Sequence, residues 1–428
     1  MQKWLRISLL LCIFGFLKEI RPSEPFVTDF LLGNWRNITE EQVNRDVYPV
    51  GTYSYAAQLI IVFLITDFLK YKPLIVTLGL AGIVTWSLLL WTESLGALQV
   101  AEIFYGTYLA TEVAYYTYIY AKVEKEHYSK VTSHTKAAIL CGRFIAGSLG
   151  QFLVHLNFMN YRELNYITLA AQILATVWAV FLPSVQESVY FHRKSLQQRN
   201  NHDFPTSNHE LVGKENSNVA ALIWGQFRRA YTNRKVLIGS FWFIFGMCGY
   251  LQYISYVQIL WNAINVNKDM IWNGAVEAAM TLLGAFSALI AGYTHNSFLS
   301  NRRCIIPLVI VSLGSGLVIF LGAHTTNLYI SYGAYLTFGV LYAFASTIVS
   351  AEIAKHLEED SFGLVFGFNT FLSLVLQTIL TLIVVTGIHL SIFQQFYIYA
   401  SYFVVLGIIY LLVYILEMCS VHKMIMEE

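Results

Sequence analysis

Residues 74–91 read LIVTLGLAGIVTWSLLLW and carry no charged side chain. A helix of about 20 apolar residues is long enough to cross the ~30 Å hydrocarbon core of a bilayer. Runs of this kind recur from one end of the 428-residue chain to the other. They are continuously apolar and do not alternate with polar residues, which favours spanning helices over a membrane β-barrel. The sequence therefore predicts an all-α integral membrane protein.

The composition agrees, because 56% of the residues are hydrophobic and only 12% are charged, against about 25% charged in soluble domains. We count about twelve spans, at roughly 5–22, 50–69, 74–91, 98–121, 134–156, 163–182, 237–261, 272–294, 304–322, 328–351, 362–386 and 396–417. A polar segment near 183–218 divides them six and six. We expect six-helix bundles at 1–182 and 235–428, joined by a linker at 183–234, which is the major facilitator outline.

Loops rich in lysine and arginine alternate along the chain with loops that contain few of them. The loops predicted to be outside hold only Arg36, Arg45, Arg162 and Lys268. By the positive-inside rule both termini are then cytosolic. Asn37, in an Asn-Ile-Thr acceptor, falls outside and is a candidate glycosylation site. Topology accounts for the basic residues, so we predict no nucleic-acid partner, and the cysteines lack a spacing for zinc, so we predict no metal or cofactor.

One carboxylate interrupts span four, in ATEVAYYTYIY at 110–120. A charge at the centre of a span costs roughly 2.5–3.5 kcal/mol and marks a candidate functional site. Tyr115 and Tyr116 lie three and four residues after Glu112, on the same helical face. A carboxylate beside aromatic rings suits a flat cationic ligand. The alternative is an internal ion pair, for which Arg143 in span five is the obvious partner.

Four charged residues cluster where the first span ends: Lys18, Glu19, Arg21 and Glu24. Pro22 and Pro25 interrupt the helix there, and a broken helix at membrane depth is tolerated beside a cavity. In that case Glu24 is the residue that reaches a ligand. The alternative is that the two cations extend to the outer headgroups and pair there with the two carboxylates.

In the second half, WNGAVEAAM places Asn273 and Glu277 four residues apart, so that an amide and a carboxylate share one face of span eight. Capping of that helix by Asn273 is the alternative. Gln377 is the one strongly polar side chain in the middle of span eleven. It is a second cavity candidate, with a helix-to-helix hydrogen bond as its alternative.

Several segments together resemble the family of reduced folate carriers and thiamine transporters: RPSEPF, YPVGTYSY, TDFLKYKP, EIFYG, EVAYYTYIY, YVQILWN, WNGAVEA and LVFGFNTFLSLVLQTILTLIVV. The resemblance covers nearly the whole chain, in family order. It implies a plasma-membrane carrier of water-soluble vitamins, either anionic folates or cationic thiamine. Alternating access of two bundles about a midplane site would move the vitamin.

The resemblance also implies site residues. Folate carriers have an Arg where this chain has Glu112, and basic residues at about Gly339 and at Gln377. Thiamine transporters have the Glu and the Gln. By that analogy the site is lined by Glu24, Glu112, Tyr115, Tyr116 and Asn273, with Glu112 holding the aminopyrimidine.

Two departures leave the substrate open. Gly51 stands where the thiamine branch has a Trp, and Arg143 stands where an uncharged residue is usual, so that it could meet a folate carboxylate. A thiamine-like cation is favoured, with a reduced folate as the alternative and a non-transporting receptor of the same fold as a rival from another class. Glu112 could also exchange a proton, which leaves proton or anion coupling open. The chain has no HExxH or GxSxG motif, so we do not expect an enzyme.

Overall fold

The computed structural model describes residues 2–66, 69–123, 127–185, 219–266, 270–298, 305–357 and 362–427. Within these residues, the long helices before residue 186 are α1 (Lys3–Lys18), α2 (Tyr48–Thr66), α3 (Lys72–Trp91), α4 (Leu95–Lys122), α5 (Tyr128–His155) and α6 (Tyr161–Val180). Those after residue 233 are α7 (Arg234–Ile264), α8 (Asn273–Phe298), α9 (Ile305–His324), α10 (Leu328–Lys355), α11 (Phe362–Thr381) and α12 (Ile392–Glu427).

Short helical segments lie between the long ones. They are Glu24–Phe26, Val27–Leu31, Glu40–Gln42, Val43–Val47, Val219–Thr232 and Leu382–Gly387. The helix Val219–Thr232 falls inside the predicted linker at 183–234, so the part of the linker next to α7 is ordered as a helix. Residues 186–218 lie outside the described part, and the division into 1–182, 183–234 and 235–428 stays a prediction.

Nine helices in the described residues are long and apolar enough to span a membrane. They include α3, α5 to α10 and α12 in whole or in part, and the run Leu364–Gly387 that begins in α11. The prediction of an all-α, multi-pass membrane protein is therefore confirmed, whereas the count of about twelve spans stays a prediction. α4 contains two carboxylates and a series of tyrosines, which lower its mean hydropathy.

Polar side chains fix where several long helices begin. Ser94 accepts the N–H of Ala97 at the start of α4. Asn160 and Glu163 form a reciprocal capping box at the start of α6, with bonds of 2.9 and 2.8 Å. Since the first N–H groups of a helix have no partner within the helix, such caps set the boundaries between apolar run and loop.

The turn between α2 and α3 is unusually tight. Lys70 and Tyr71 have positive φ angles of 58° and 65°, and the N–H of Lys72 donates to the Lys70 carbonyl at 2.8 Å. The Lys72 ammonium then donates to the Val180 carbonyl at the end of α6. Asp67, the acidic residue of the TDFLKYKP segment, lies outside the described residues.

The two halves meet along two helix pairs, α5 with α8 and α2 with α11. Within the N-terminal half α1 packs against α5 and α6, and within the C-terminal half α7 packs against α10, α11 and α12. Hydrogen bonds between described residues of the two halves lie at the predicted outer end. Examples are the Gln151 amide to the Ile271 carbonyl and Tyr53 to Thr386.

Candidate substrate-binding site

The break after α1 brings charged residues into the middle of the helix bundle. α1 ends at Lys18, and regular structure resumes only with the turn Glu24–Phe26. Proline cannot donate a backbone hydrogen bond, and the predicted interruption of the helix by Pro22 and Pro25 is confirmed. Because α1 packs against α5, and Tyr108 of α4 donates to the Lys18 carbonyl, the residues of the break lie beside both helices.

Glu19 is the centre of the resulting charge network. Its Oε1 accepts Lys18 Nζ at 2.7 Å, and its Oε2 accepts Arg21 Nη2 and Arg143 Nε, each at 2.8 Å. Lys18 and Glu19 side chains are 1% exposed and Arg21 is 7% exposed. The alternative in which Lys18 and Arg21 extend to the outer headgroups is therefore wrong. Their charges are neutralised inside the protein, which a buried ion pair requires.

Glu112 is paired, but not with the residue expected. Its Oε1 accepts Lys18 Nζ and, at 2.9 Å, the hydroxyl of Tyr116. The expectation that Arg143 is its internal partner is wrong, since Arg143 binds Glu19. The physical reason is the break in α1, which places the Lys18 ammonium beside α4. Among the described residues none donates a hydrogen bond to Glu112 Oε2, and the side chain is 18% exposed.

The two tyrosines after Glu112 have different environments. Tyr115 is fully buried, its hydroxyl donates to the Leu11 carbonyl at 2.8 Å, and its ring packs against Phe14. Tyr116 is 40% exposed and lies within range of charges from α1 and α5 as well as Glu112. The centre of its ring lies 6.0 Å from Lys18 Nζ, so its accessible surface lies beside the charge network. In this conformation Tyr116 can contact a ligand, whereas Tyr115 holds α1 against α4.

Arg143 presents a free cationic edge. Among the described residues only Glu19 bonds to it, through Nε, and its side chain is 48% exposed. Arg143 lies in α5, which packs against α8 of the other half, and α8 carries Glu277. The Glu277 carboxylate there accepts the Tyr335 hydroxyl at 2.8 Å.

Glu24 completes the exposed part of the network. It accepts Arg21 Nη1 at 2.8 Å and the Tyr105 hydroxyl at 2.9 Å, and its side chain is 39% exposed. The structure thus brings four of the predicted site residues to one charged region, namely Glu24, Glu112, Tyr116 and Arg143. Anionic and cationic groups are exposed side by side there, which can bind an organic cation, a carboxylate or a molecule carrying both.

Asn273 lies in a separate polar cluster at the predicted outer end. It is 1% exposed, its amide donates to Asp29 at 3.3 Å, and its carbonyl oxygen accepts the Tyr332 hydroxyl at 2.6 Å. Asp29 also accepts the Asn262 amide at 3.1 Å. The side chain of Asn273 therefore joins the two halves in this conformation, and these bonds do not cap its own helix.

Gln377 is not joined to the charge network. It lies in α11 and is 4% exposed. Gln377 forms no hydrogen bond with another described residue, so nothing in the described part supports the alternative of a bond between two helices. Its part in binding stays a prediction.

Two glycines stand at positions where the resemblance places larger side chains. A Cβ on Gly51 would lie 2.2 Å from Glu102 Oε2, and a Cβ on Gly339 would lie 1.7 Å from Met280 Cε. Such approaches are far closer than van der Waals contact. The Glu102 carboxylate therefore occupies the space next to Gly51, and the Met280 thioether fills the space next to Gly339.

Sequence reasoning missed three partners. These are Lys18 as the cation of Glu112, Tyr105 as a donor to Glu24, and Asp29 as the acceptor between the halves. The spacing of Tyr105, seven residues before Glu112 and so on the same face of α4, was a signal that could have found it. The others depend on which helices pack together.

Comparison with known proteins decides the family. The sequence pattern described as Reduced folate carrier matches residues 2–398. The chain belongs to the reduced folate carrier family. Thiamine transporter 1 of Homo sapiens is 39% identical, over 95% of this chain and 89% of that protein. The reduced folate transporter of Homo sapiens is 35% identical, over 96% of this chain and 72% of that protein.

Solved structures confirm the architecture of this member of the reduced folate carrier family. A POT family transporter in complex with a thioalcohol conjugated peptide has a TM-score of 0.68, with 12% identity over 95% of this chain and 96% of that chain. A D-xylose-proton symporter has a TM-score of 0.66, with 12% identity over 96% and 97%. At such identities the likeness concerns the fold alone. Membership of this family makes the chain a membrane transporter and not an enzyme, and its fold is that of these solved transporters.

Proposed function

We propose that this protein carries a thiamine-like organic cation across the plasma membrane by alternating access. The observation that supports it most directly is Glu112, a carboxylate in the middle of α4 with one oxygen open beside the exposed ring of Tyr116. An open carboxylate oxygen accepts a charge-assisted hydrogen bond, and an exposed tyrosine ring offers a face for a flat cation. Glu24 adds a second exposed carboxylate to the same region.

Two of the relatives are named for this class of substrate. Proteins named thiamine transporter 1 and thiamine transporter 2, from Homo sapiens, are 39% and 36% identical to the chain. By the same resemblance Asn273 and Gln377 are further candidates for substrate contact. Asn273 is held by Asp29 in this conformation, so we expect it to become available only when the two halves separate at the outer end.

A reduced folate is the second candidate, and Arg143 favours it. Its side chain is 48% exposed, and in the described part of the chain only Nε has a partner, so the remaining N–H groups can bind a carboxylate in a bidentate manner. Two features count against a folate. The space beside Gly339 is filled by Met280, and the position at which the resemblance places another basic residue is the neutral Gln377.

Uptake measurements test the proposal and separate the two substrates. Cells expressing the chain are given radiolabelled thiamine or a radiolabelled reduced folate, each competed by the other. For a thiamine carrier, Glu112→Gln abolishes thiamine uptake, while Glu41→Gln, the same change at an exposed outer residue, leaves it intact. For a folate carrier, Arg143→Ala abolishes folate uptake. If Glu112→Gln changes the uptake of neither vitamin, the assignment of Glu112 to the binding site is refuted.

Location, topology and coupling belong to the same proposal. We expect both termini in the cytosol, because the basic residues of the short loops follow the positive-inside rule. Epitope tags at either end are then accessible to antibody only after the plasma membrane is permeabilised. Coupling to a proton or to an anion predicts uptake that changes with an imposed gradient of that ion. An insensitive rate indicates facilitated diffusion.

A further inference from the structure

Lys18 is the cation of the charge network that contacts Glu112, the carboxylate proposed to bind the substrate. It is the last residue of α1, and its side chain is 1% exposed. The ammonium contacts the carboxylates of Glu19 and Glu112. It also lies 5.6 Å from the centre of the Tyr115 ring and 6.0 Å from that of Tyr116. Of these groups, Glu112 and Tyr116 are the ones that would contact the cationic part of a ligand.

The network is balanced in charge. Its cations are Lys18, Arg21 and Arg143, and its anions are Glu19, Glu24 and Glu112. Arg21 is paired with Glu19 and Glu24, and Arg143 with Glu19. Within the described residues Lys18 is therefore the cation that neutralises Glu112. A carboxylate that already has an internal cation attracts a second cation less strongly than a free one does.

We propose that Lys18 is a specificity-determining residue, an internal cation that occupies Glu112 when no substrate is bound and competes there with a cationic substrate. The inference rests on the proposed function, in which Glu112 binds an organic cation. Substrate binding then requires the ammonium to give up its contact with Glu112 and to remain on Glu19. The long lysine side chain and the 2.7 Å bond from Nζ to Glu19 allow this. Ligands of weaker positive charge gain too little to displace it.

The arrangement also accounts for the two oxygens of Glu112. Lys18 and Tyr116 both donate to Oε1, so a ligand can first bind at Oε2 while the internal pair persists. Displacement of the ammonium then frees Oε1. A ligand able to donate to both oxygens, as an amino-substituted aromatic cation is, gains most from that second step.

The test is the Lys18→Met variant, which keeps the length of the side chain and removes its charge. Equilibrium binding of radiolabelled thiamine to the purified full chain is expected to tighten by at least about tenfold, the scale of one charge-assisted contact. Lys122→Met is the matched control, since Lys122 lies at the far end of α4 and donates to the Ser184 carbonyl. Its affinity is expected to equal that of the unmodified protein.

A double variant shows whether the gain acts through Glu112. In Lys18→Met with Glu112→Gln the network is neutral again, and the tighter binding is expected to disappear. Lys18→Arg provides a second measurement should Lys18→Met not fold. The guanidinium can bind both Glu112 oxygens at once, so thiamine is expected to bind several-fold more weakly.

Two failures are distinguishable. An unmodified protein that neither binds nor transports thiamine refutes the proposed function. A protein that binds thiamine with the same affinity in its folded Lys18 variants refutes the competition by Lys18 and leaves the proposed function standing. Weaker binding of thiamine to a folded Lys18→Met variant also refutes the competition, because it shows that Lys18 assists binding of the ligand.

Discussion

Replacing Glu19 with Gln is expected to destabilise the protein more than any other single charge removal in the network. The side chain is 1% exposed, and its two oxygens accept hydrogen bonds from Lys18, Arg21 and Arg143. The amide has nearly the same shape but carries no charge. The variant therefore leaves one excess positive charge among three cations, of which Lys18 and Arg21 are buried.

The magnitude follows from the burial. Removing one partner of a buried ion pair costs about 3–5 kcal/mol, because the remaining charge is left uncompensated. With an unfolding entropy of about 2.1 cal/mol/K per residue, this lowers Tm by about 3–5 °C in a chain of 428 residues. The assay is thermal unfolding of the detergent-purified protein, followed by tryptophan fluorescence or by loss of the monodisperse peak.

Glu41→Gln is the matched control. Glu41 pairs with Arg45 in the segment predicted to be outside, and its side chain is 69% exposed. Exposed pairs contribute about 0–1 kcal/mol, so Tm should fall by less than about 1 °C. The double variant Glu19→Gln with Lys18→Met removes one charge of each sign and is expected to recover at least half of the lost stability. Equal shifts for Glu19→Gln and Glu41→Gln would refute the view that the network is held by buried charge balance.

Three further predictions concern single residues. Asn37 is exposed in a segment without regular secondary structure, so treatment with a glycosidase should increase the gel mobility of the protein expressed in cells, and Asn37→Gln should abolish that shift. Tyr115→Phe should lower Tm by about 1 °C through the lost bond to the Leu11 carbonyl with KM for uptake unchanged, whereas Tyr116→Phe should raise KM with little change in Tm. Lys70 has a φ of 58°, so Lys70→Gly should leave Tm unchanged or higher and Lys70→Val should lower it by about 1–2 °C.

The fold was predictable because the bilayer restricts it. Each uninterrupted apolar run can satisfy its backbone hydrogen bonds in lipid only as a helix, and the chain has nothing else of comparable length. The interruption at Pro22 and Pro25 was predictable for the same reason. The helix Val219–Thr232 was not predicted, although most of its residues are apolar, because the run is too short to span a bilayer and was included in the linker.

The sequence predicted which residues belong to the candidate site but not which of them form ion pairs. Glu112 and Arg143 stand out because charges in apolar spans are costly, and the structure places both in one network. We expected these two residues to pair because their spans are neighbours in sequence. The break in α1 instead places Lys18 beside Glu112, and Arg143 pairs with Glu19. Asp29 lies beyond the predicted end of the first span, where a carboxylate is unremarkable in sequence. Only the packing of the two halves gives it a role.

The segment that follows α1 joins two functions in one piece of backbone. Lys18 at its start neutralises Glu112, and Asp29, eleven residues later, bonds to Asn262 and Asn273 of the other half. A shift of the segment that separates the halves at Asp29 therefore also changes the position of Lys18. By thermodynamic reciprocity, a ligand that displaces Lys18 from Glu112 must alter the stability of the outer contact by as much as that contact alters the affinity of the ligand. One short stretch of chain thus connects the proposed site to the contact between the two halves.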